Sequence, residues 1–355
     1  MDETACILLI NDIHVSKDNI SEFFVNWDEA LDVCKKLRIN EIAIGGDLFM
    51  SRASQTLDVL LATRDAFLKA EQQNINITIA NGNHDKINQE ANRGYCHIFD
   101  QHPNVCVVDN YISLVPDPTW NFVLHIIAYF PENGSFKDKL DDLVCNNLDK
   151  ERCNFLYIHE GISGALKHSS ENELPTHIFK AFEKVFVAHY HNRKNIEDTN
   201  ISYIGSSRQH NFGEDEEKGY TVIYKDGSTK FIANQKNTRF ITIDVLASDI
   251  GIHFFNQLEE ISTDNRYRVK VRVHSSGTEA PGIDKEKILV AGANKIEIVV
   301  DDNEMLPMNS SSLFEKFDNQ RIKESYEKFC SEKEIENIGL GLKYLSKIDP
   351  LSCGD

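Results

Sequence analysis

Side chains that can bind metal ions or move protons follow five short apolar runs in this sequence. They are Asp12 and His14 after CILLI, Asp47 after IAIGG, Asn83 and His84 after ITIA, His159 after FLYI, and His189 and His191 after VFVA. Mixed oxygen and imidazole ligands suit Mn, Fe or Zn better than an all-oxygen magnesium site. Two divalent cations about 3.5–4 Å apart can activate a water and polarise a phosphoryl group. The residue types therefore predict a two-metal centre whose chemistry is phosphate-ester hydrolysis.

The apolar runs have the length of β-strands, and helical patterns lie between the first of them. One helical face is marked by Trp27, Ala30, Leu31, Cys34 and Leu37, and a looser one by Leu57, Leu60, Leu61 and Leu68. Strands alternating with helices are typical of βαβ units. The sequence therefore predicts an α/β fold whose strand ends deliver the polar ligands.

Length and composition favour an ordinary globular protein. The chain has 355 residues, 41% of them hydrophobic, which suits one catalytic domain and a smaller appendage. No apolar run approaches the roughly 18 residues of a membrane span, and MDETACILLIND carries acids where a secretory signal carries lysines. Eight cysteines without a CxxC pair suit reduced thiols. We expect a cytoplasmic or nucleoid-associated protein without a membrane partner.

The formal net charge of -18 opposes binding of nucleic acid by bulk attraction. One local remedy is the segment NRYRVKVRVH, where four cations alternate with other residues: Arg266, Arg268, Lys270 and Arg272. On a β-strand these four side chains would share one face, with about 6.6 Å between neighbours. The face could bind DNA phosphates, or it could be a solvated face with the valines turned inward. Arg208 is a further candidate for DNA binding, whereas EDEEK reads as an exposed loop.

Taken alone, each of the five polar motifs that follow the apolar runs is more often a helix cap or a structural histidine than a metal ligand. Together, NDIH, GGDLF, GNHD, YIHEG and AHYH resemble the calcineurin-like metallophosphoesterases. The resemblance implies a four-layered α/β/β/α sandwich that binds two divalent metal ions. Mn²⁺ is the favoured metal, and Fe, Zn and Mg are alternatives. One ion would be held by Asp12, His14 and His191, the other by Asn83, His159 and His189, with Asp47 bridging. His84 would contact the phosphate as the catalytic residue, and Asp85 is either a support for the ligands or structural.

GGDLFMSRAS and YIGSSRQHNFGEDEEKGY give a finer resemblance to the SbcD-type nuclease subunit of DNA double-strand-break repair complexes. It implies a DNA nuclease that binds an SbcC-type coiled-coil ATPase as its partner. A homodimer of the nuclease is also possible. The implied organisation is a nuclease domain over 1–235, a small α+β capping domain over 236–305 and a helical tail over 306–355. Two positions depart from the family pattern. Ala188 replaces the usual glycine, and Met50 stands where some of these nucleases carry a histidine.

Two other functions stay open at the level of sequence. The acidity favours a phosphoesterase for small nucleotides or phosphoproteins, and a protein of another class would be a non-catalytic scaffold of a repair complex. A scaffold would be expected to have lost some ligand positions, which are all present here. In the tail, the apolar series Phe314, Phe317, Ile322, Tyr326 and Phe329 either docks the ATPase or packs on the chain's own core.

Overall fold

Two six-stranded sheets form the larger part of the structure, a computed structural model that describes residues 4–166, 172–276 and 279–300 together with Tyr326 and Cys330. The first sheet has the order β12-β11-β1-β2-β3-β4. Its strands are β1 (Ala5–Ile10), β2 (Glu41–Ile44), β3 (Asn76–Ala80), β4 (Val105–Val108), β11 (Gly219–Tyr224) and β12 (Thr229–Ala233). β1 to β4 run parallel, whereas β11 pairs antiparallel with both β1 and β12.

The second sheet has the order β5-β6-β7-β8-β10-β9. Its strands are β5 (Tyr111–Leu114), β6 (Phe122–Ile127), β7 (Cys153–His159), β8 (Lys184–Ala188), β9 (Lys194–Asn195) and β10 (Ile201–Tyr203). β6, β7, β8 and β10 are parallel, and the two edge strands are antiparallel to their neighbours. Parallel strands buried on both faces explain why the sequence shows continuous apolar runs.

Helices cover the outer faces of both sheets. α1 (Ile20–Leu37) and α2 (Leu57–Gln72) pack through Trp27 and Phe67 in one core with Leu8 and Ile10 of β1. Leu9 of β1 faces the other way, into a core shared with β6, β7 and α3 (Phe136–Asn146). The alternation along β1 thus serves two cores. The expected α/β sandwich is confirmed, and its helices leave the carboxyl ends of the parallel strands uncovered for the candidate site.

A third sheet follows, with the order β13-β14-β15. Its elements are β13 (Arg239–Leu246), α4 (Ile252–Ser262), β14 (Tyr267–Ser275), α5 (Lys285–Val290) and β15 (Lys295–Val300). Residues up to 245, 249–272 and 284–297 pack as one unit, and short segments around 246–248, 273–283 and 298–300 belong to a second. The domain boundaries near 235 and 305 therefore stay predictions. Apart from Tyr326 and Cys330, the tail from 306 to 355 lies outside the described residues.

The helices of the described part of the chain are too short or too polar to cross a lipid bilayer.

Candidate metal centre

The turns that follow the strands hold one another through backbone hydrogen bonds. The Asp12 N–H donates to the Gly46 carbonyl at 3.1 Å, and the His14 N–H donates to the Asp47 carbonyl at 3.0 Å. Across the two sheets, the His189 N–H donates to Asp12 Oδ2 at 3.1 Å. These bonds place the ends of β1, β2 and β8 at one point, as the sequence predicts.

Backbone strain is concentrated at this point. Asp12, His14 and Asp47 each have φ near 50°, and His189 has φ of 89°. A non-glycine residue in this region costs about 1–3 kcal/mol and persists only where its surroundings hold it. Four of the seven strained non-glycine positions among the described residues are thus predicted metal ligands. The strain is tolerated because it aims their side chains at a common centre.

Asp47 lies between the two groups of predicted ligands. Its Oδ1 accepts the backbone N–H of His84 at 2.8 Å. Its Oδ2 lies 3.3 Å from His159 Nε2 and 3.6 Å from His14 Nε2. Burial raises the pKa of Asp47, but the adjacent His159 and His14 outweigh burial and hold that pKa well below its usual range. A permanently charged oxygen that faces both histidines is what a bridging ligand requires.

Other ligand atoms converge on either side of Asp47. His14 Nε2 and His191 Nε2 are 3.1 Å apart, and His159 Nε2 and Asn83 Oδ1 are 3.0 Å apart. Two atoms bound about 2.0–2.1 Å from one ion, at angles between 90° and 109°, stand roughly 2.8–3.4 Å from each other. The observed separations match that spacing.

Two oxygens in this cluster have no hydrogen-bond donor among the described residues. Asp12 Oδ1 is buried and finds no partner in that part of the chain, 3.9 Å from His191 Nε2 and 4.0 Å from His159 Nε2. Asn83 Oδ1 faces only acceptors, and turning the amide over would let its nitrogen donate to His159 and Asp47. We favour the amide oxygen facing inward, because a cation would satisfy Asn83, Asp12 and Asp47 together. The residues present therefore fit divalent metal ions.

His189 is the least clustered of the predicted ligands. Three groups of described residues bring their ligand atoms within 4.8 Å of one another: Asp12–Asp47–His159, His14–Asp47–His84 and His14–His191–His210. His189 does not join these groups, although its ring centroid lies 5.3 Å from that of His159. Burial lowers the pKa of His189 to about 4. The imidazole is therefore neutral near pH 7 and has a lone pair for a metal ion.

His84 has its ring at the edge of the centre, 4.9 Å from the ring of His14. His84 Nδ1 lies 2.6 Å from the Met50 carbonyl oxygen. A carbonyl only accepts, so Nδ1 carries the proton of this bond and Nε2 is left for another partner. The backbone carbonyl of Met50 thus orients the ring of His84.

Asp85 supports the ligands without reaching the centre. Its carboxylate accepts the backbone N–H groups of Leu48, Phe49 and Gly82 at 2.8–3.2 Å, which ties the turn after β2 to the turn after β3. Burial, with Asp47 nearby, raises the pKa of Asp85 to about 7. The alternatives left open by the sequence are thus both partly correct, since Asp85 shapes the two turns that carry Asp47 and Asn83.

Sequence reasoning missed two residues beside His191. His210 donates from Nε2 to the Asp12 carbonyl at 2.7 Å, and its ring centroid lies 4.8 Å from that of His191. Glu214 Oε1 lies 2.8 Å from His191 Nδ1 and accepts a hydrogen bond from its N–H. The interpretation of EDEEK as an exposed loop was wrong at two places, because the side chains of Glu214 and Lys218 are 7% and 0% exposed. No spacing or periodicity in the sequence marks these residues.

Arg208, a predicted DNA contact, is instead buried. Its Nε donates to the Ile13 carbonyl at 3.2 Å and its Nη2 to the His14 carbonyl at 3.3 Å, while Nη1 pairs with Glu22 at 3.4 Å. The guanidinium has no surface from which to reach a DNA backbone. Arg208 fixes the backbone that carries His14.

The four alternating cations near β14 are each paired with an acid. Arg266 pairs with Asp264, Arg268 with Glu22, Lys270 with Glu297, and Arg272 with both Glu297 and Asp244. Arg266 precedes the strand, and the other three lie on it. The valines between them are fully buried, as the solvated-face alternative predicted. These ion pairs neutralise most of the positive charge that a DNA phosphate would need.

Comparison with known proteins settles the family. Residues 6–193, more than half of the chain, match the model of the calcineurin-like phosphoesterases. The chain belongs to the calcineurin-like phosphoesterase family. Membership makes the protein a phosphoesterase, and divalent metals are the cofactors of this family.

The calcineurin-like phosphoesterase has distant named relatives. It is 25% identical over 223 residues to a protein named as a phosphoesterase, 244L of Invertebrate iridescent virus 6, across 61% of this chain and 75% of that protein. It is 23% identical over 246 residues to the SbcD subunit of the nuclease SbcCD of Staphylococcus saprophyticus. This match covers 62% of this chain and 62% of the length of that relative. The crystal structure of the nuclease MPE of Pseudomonas putida aligns with 62% of this chain and 84% of that one, with 12% identity and a TM-score of 0.27.

Proposed function

We propose that this phosphoesterase is a two-metal-dependent DNA nuclease that hydrolyses phosphodiester bonds. The position of Asp47 carries the proposal for two metals. Its Oδ2 stands 3.3 Å from His159 and 3.6 Å from His14, so one oxygen serves both ligand groups, while His84 N–H occupies Oδ1. When bound, two divalent ions would supply the positive charge that polarises a phosphoryl group.

The proposed ligands divide as the family resemblance implies. Asp12, His14 and His191 would hold one ion, Asn83, His159 and His189 would hold the other, and Asp47 would be shared by both. The buried Asp12 Oδ1, which has no hydrogen-bond partner among the described residues, and the acceptor-facing Asn83 oxygen support this division. The metal we propose is Mn²⁺, because mixed nitrogen and oxygen ligands suit it better than Mg²⁺.

His84 is the proposed catalytic residue. Its backbone N–H fixes it to Asp47 and its Nδ1 is committed to the Met50 carbonyl, which directs Nε2 to a substrate beside the metals. There it would stabilise charge on the phosphoryl group or protonate the leaving oxygen. This role requires Nε2 to be held in place by the protein, which the bond from Nδ1 to Met50 supports.

The distant relation to the SbcD subunit of the nuclease SbcCD supports DNA as the substrate and an SbcC-type coiled-coil ATPase as the partner. The neutralised cations of β14 add a physical reason for a partner. With Lys270 and Arg272 paired to acids and a net charge of -18, this chain holds long DNA poorly alone. Co-purification of the tagged full chain with an SbcC-type ATPase from the same source tests this part, and no association would contradict it.

The same ion pairs favour one alternative, a phosphoesterase for small nucleotides, since such a substrate needs no extended cationic surface. One assay decides between the two. Purified protein with Mn²⁺ is offered labelled single-stranded DNA and a chromogenic phosphodiester, and Asp47→Asn serves as the inactive control. Cleavage of DNA by the wild type alone supports a nuclease. Cleavage of the small ester with inert DNA supports the alternative, and cleavage of neither supports a scaffold.

A further inference from the structure

His191 is held from two sides by Glu214 and Lys218, which belong to the same loop. Glu214 Oε1 accepts from His191 Nδ1 at 2.8 Å, and Lys218 Nζ donates to the His191 carbonyl at 2.7 Å. Lys218 Nζ also lies 3.7 Å from Glu214 Oε2. Because the two side chains are 7% and 0% exposed, water competes little for either contact.

The remaining polar positions of this pair are also occupied. The Glu214 carboxylate accepts the His210 backbone N–H at 3.1 Å and the Asn211 side-chain amide at 2.9 Å. Lys218 Nζ donates to Asn192 Oδ1 at 2.8 Å and to Asp215 Oδ1 at 3.3 Å. A buried carboxylate with this many fixed donors has little freedom to turn away from His191.

The bond to Glu214 decides which nitrogen of His191 is available. A neutral imidazole has one nitrogen that donates through its N–H and one that carries a lone pair, and an ionised carboxylate can only accept a hydrogen bond. With Nδ1–H facing Glu214, the lone pair lies on Nε2, which is the atom 3.1 Å from His14 Nε2 and 3.9 Å from Asp12 Oδ1. Carboxylate partners of this kind orient metal-binding histidines and raise their basicity.

We propose that Glu214 is a positioning residue that keeps the Nδ1–H tautomer of His191 and thereby sets the affinity of the metal site shared by Asp12, His14 and His191. The inference deepens the proposed two-metal function. Its claim about metal affinity rests on that function, whereas its claim about the tautomer of His191 does not. The corresponding nitrogen of His159, Nδ1, faces the Gly45 carbonyl oxygen at 3.1 Å, and no carboxylate side chain among the described residues binds it. The two sites should therefore respond differently to loss of the Glu214 charge.

The test compares Glu214→Gln with Glu216→Gln in the full chain. Glu216 belongs to the same acidic run but is exposed, so the control makes the same chemical change away from His191. ¹⁵N NMR of the metal-free protein with labelled histidine, at about pH 9 to favour neutral imidazole, identifies the protonated nitrogen of His191. The wild type and Glu216→Gln should show Nδ1–H, and Glu214→Gln should show a mixture of tautomers.

Calorimetric titration with Mn²⁺ measures the affinity half of the proposal. Loss of such a partner typically weakens metal binding 10–100-fold. We expect that loss for one of two Mn²⁺ ions in Glu214→Gln and none in Glu216→Gln. Equal weakening of both ions, or unchanged affinity of both, would overturn the positioning role.

The wild-type NMR result stands even if Glu214→Gln does not fold, since His191 protonated on Nε2 would refute the proposal by itself. Failure of the proposed function is a separate result. A wild type that does not cleave DNA leaves the tautomer and the Mn²⁺ affinities unaffected.

Discussion

Gly46→Ala is the substitution whose effect follows most directly from the geometry of the centre. Gly46 precedes the bridging Asp47, has φ of 108°, and lies against the turn after β3. An added Cβ would stand 2.6 Å from His159 Nδ1 and 2.8 Å from the Gly82 Cα. The added methyl group would therefore push the turn that carries Asp47 away from His159 and from the turn after β3 that contains Gly82.

The size of the effect is the sum of two costs. Forcing a residue with a Cβ into this region of φ costs about 1–3 kcal/mol. Overpacking a buried contact costs about another 1–3 kcal/mol. The sum of about 2–6 kcal/mol is a large part of a typical stability of about 5–15 kcal/mol. At roughly 1.3 °C per kcal/mol for a chain of 355 residues, the Tm should fall by at least about 3 °C.

Differential scanning calorimetry and Mn²⁺ titration of the purified variant measure both consequences. Gly251→Ala is the matched control, because a Cβ at Gly251 meets no atom within 4 Å. We expect Gly46→Ala to lose stability and metal affinity, and Gly251→Ala to keep both. If Gly46→Ala has the Tm and the Mn²⁺ affinity of the control, the close approach of the turns that we describe is wrong.

Three further predictions follow from the same centre. Asp47→Asn removes the attraction between a carboxylate charge and a divalent ion about 2.1 Å away, about 4 kcal/mol even at the dielectric constant of water, so the variant should bind the second Mn²⁺ roughly 10³-fold more weakly by calorimetry; unchanged stoichiometry and affinity would remove Asp47 as the bridge. His84→Ala should keep both ions and lose about 10²–10⁴-fold in kcat, whereas loss of metal would make His84 a ligand. Burial lowers the pKa of His14 and of His189 from 6.5 to about 4, so the unfolded chain binds their protons first. These two histidines should therefore lower the unfolding free energy of the metal-free protein as the pH drops from 6.5 to 4, against the opposite effect of Asp85, whose pKa is raised to about 7, and a urea-unfolding series whose slope with pH is unchanged in His189→Asn would contradict this.

The sequence predicts what depends on strands and their ends. Apolar runs of strand length are buried on both faces here, and a parallel sheet places their carboxyl ends at one edge. Asp12, Asp47 and His159 could therefore be located together from the order of the motifs. The strained φ angles at Asp12 and Asp47 could not, because they result from hydrogen bonds between turns distant in sequence.

Contacts that depend on loops escaped prediction. Glu214 follows His191 by 23 positions, and only the return of the chain along β10 and the following loop brings the two side chains to 2.8 Å. The alternating cations of β14 were visible in the sequence, but their acids, such as Glu22 and Glu297, come from other elements. Arg208 shows the same limit, since burial under the turn of His14 removes it from the surface.

The most direct test of the central claim is the anomalous diffraction of crystals grown with Mn²⁺. We predict two anomalous peaks about 3.5–4 Å apart, both within bonding distance of Asp47 Oδ2, one next to His14 and His191 and the other next to Asn83 and His159. A single peak, or two peaks that do not share Asp47, would contradict a centre bridged by this carboxylate.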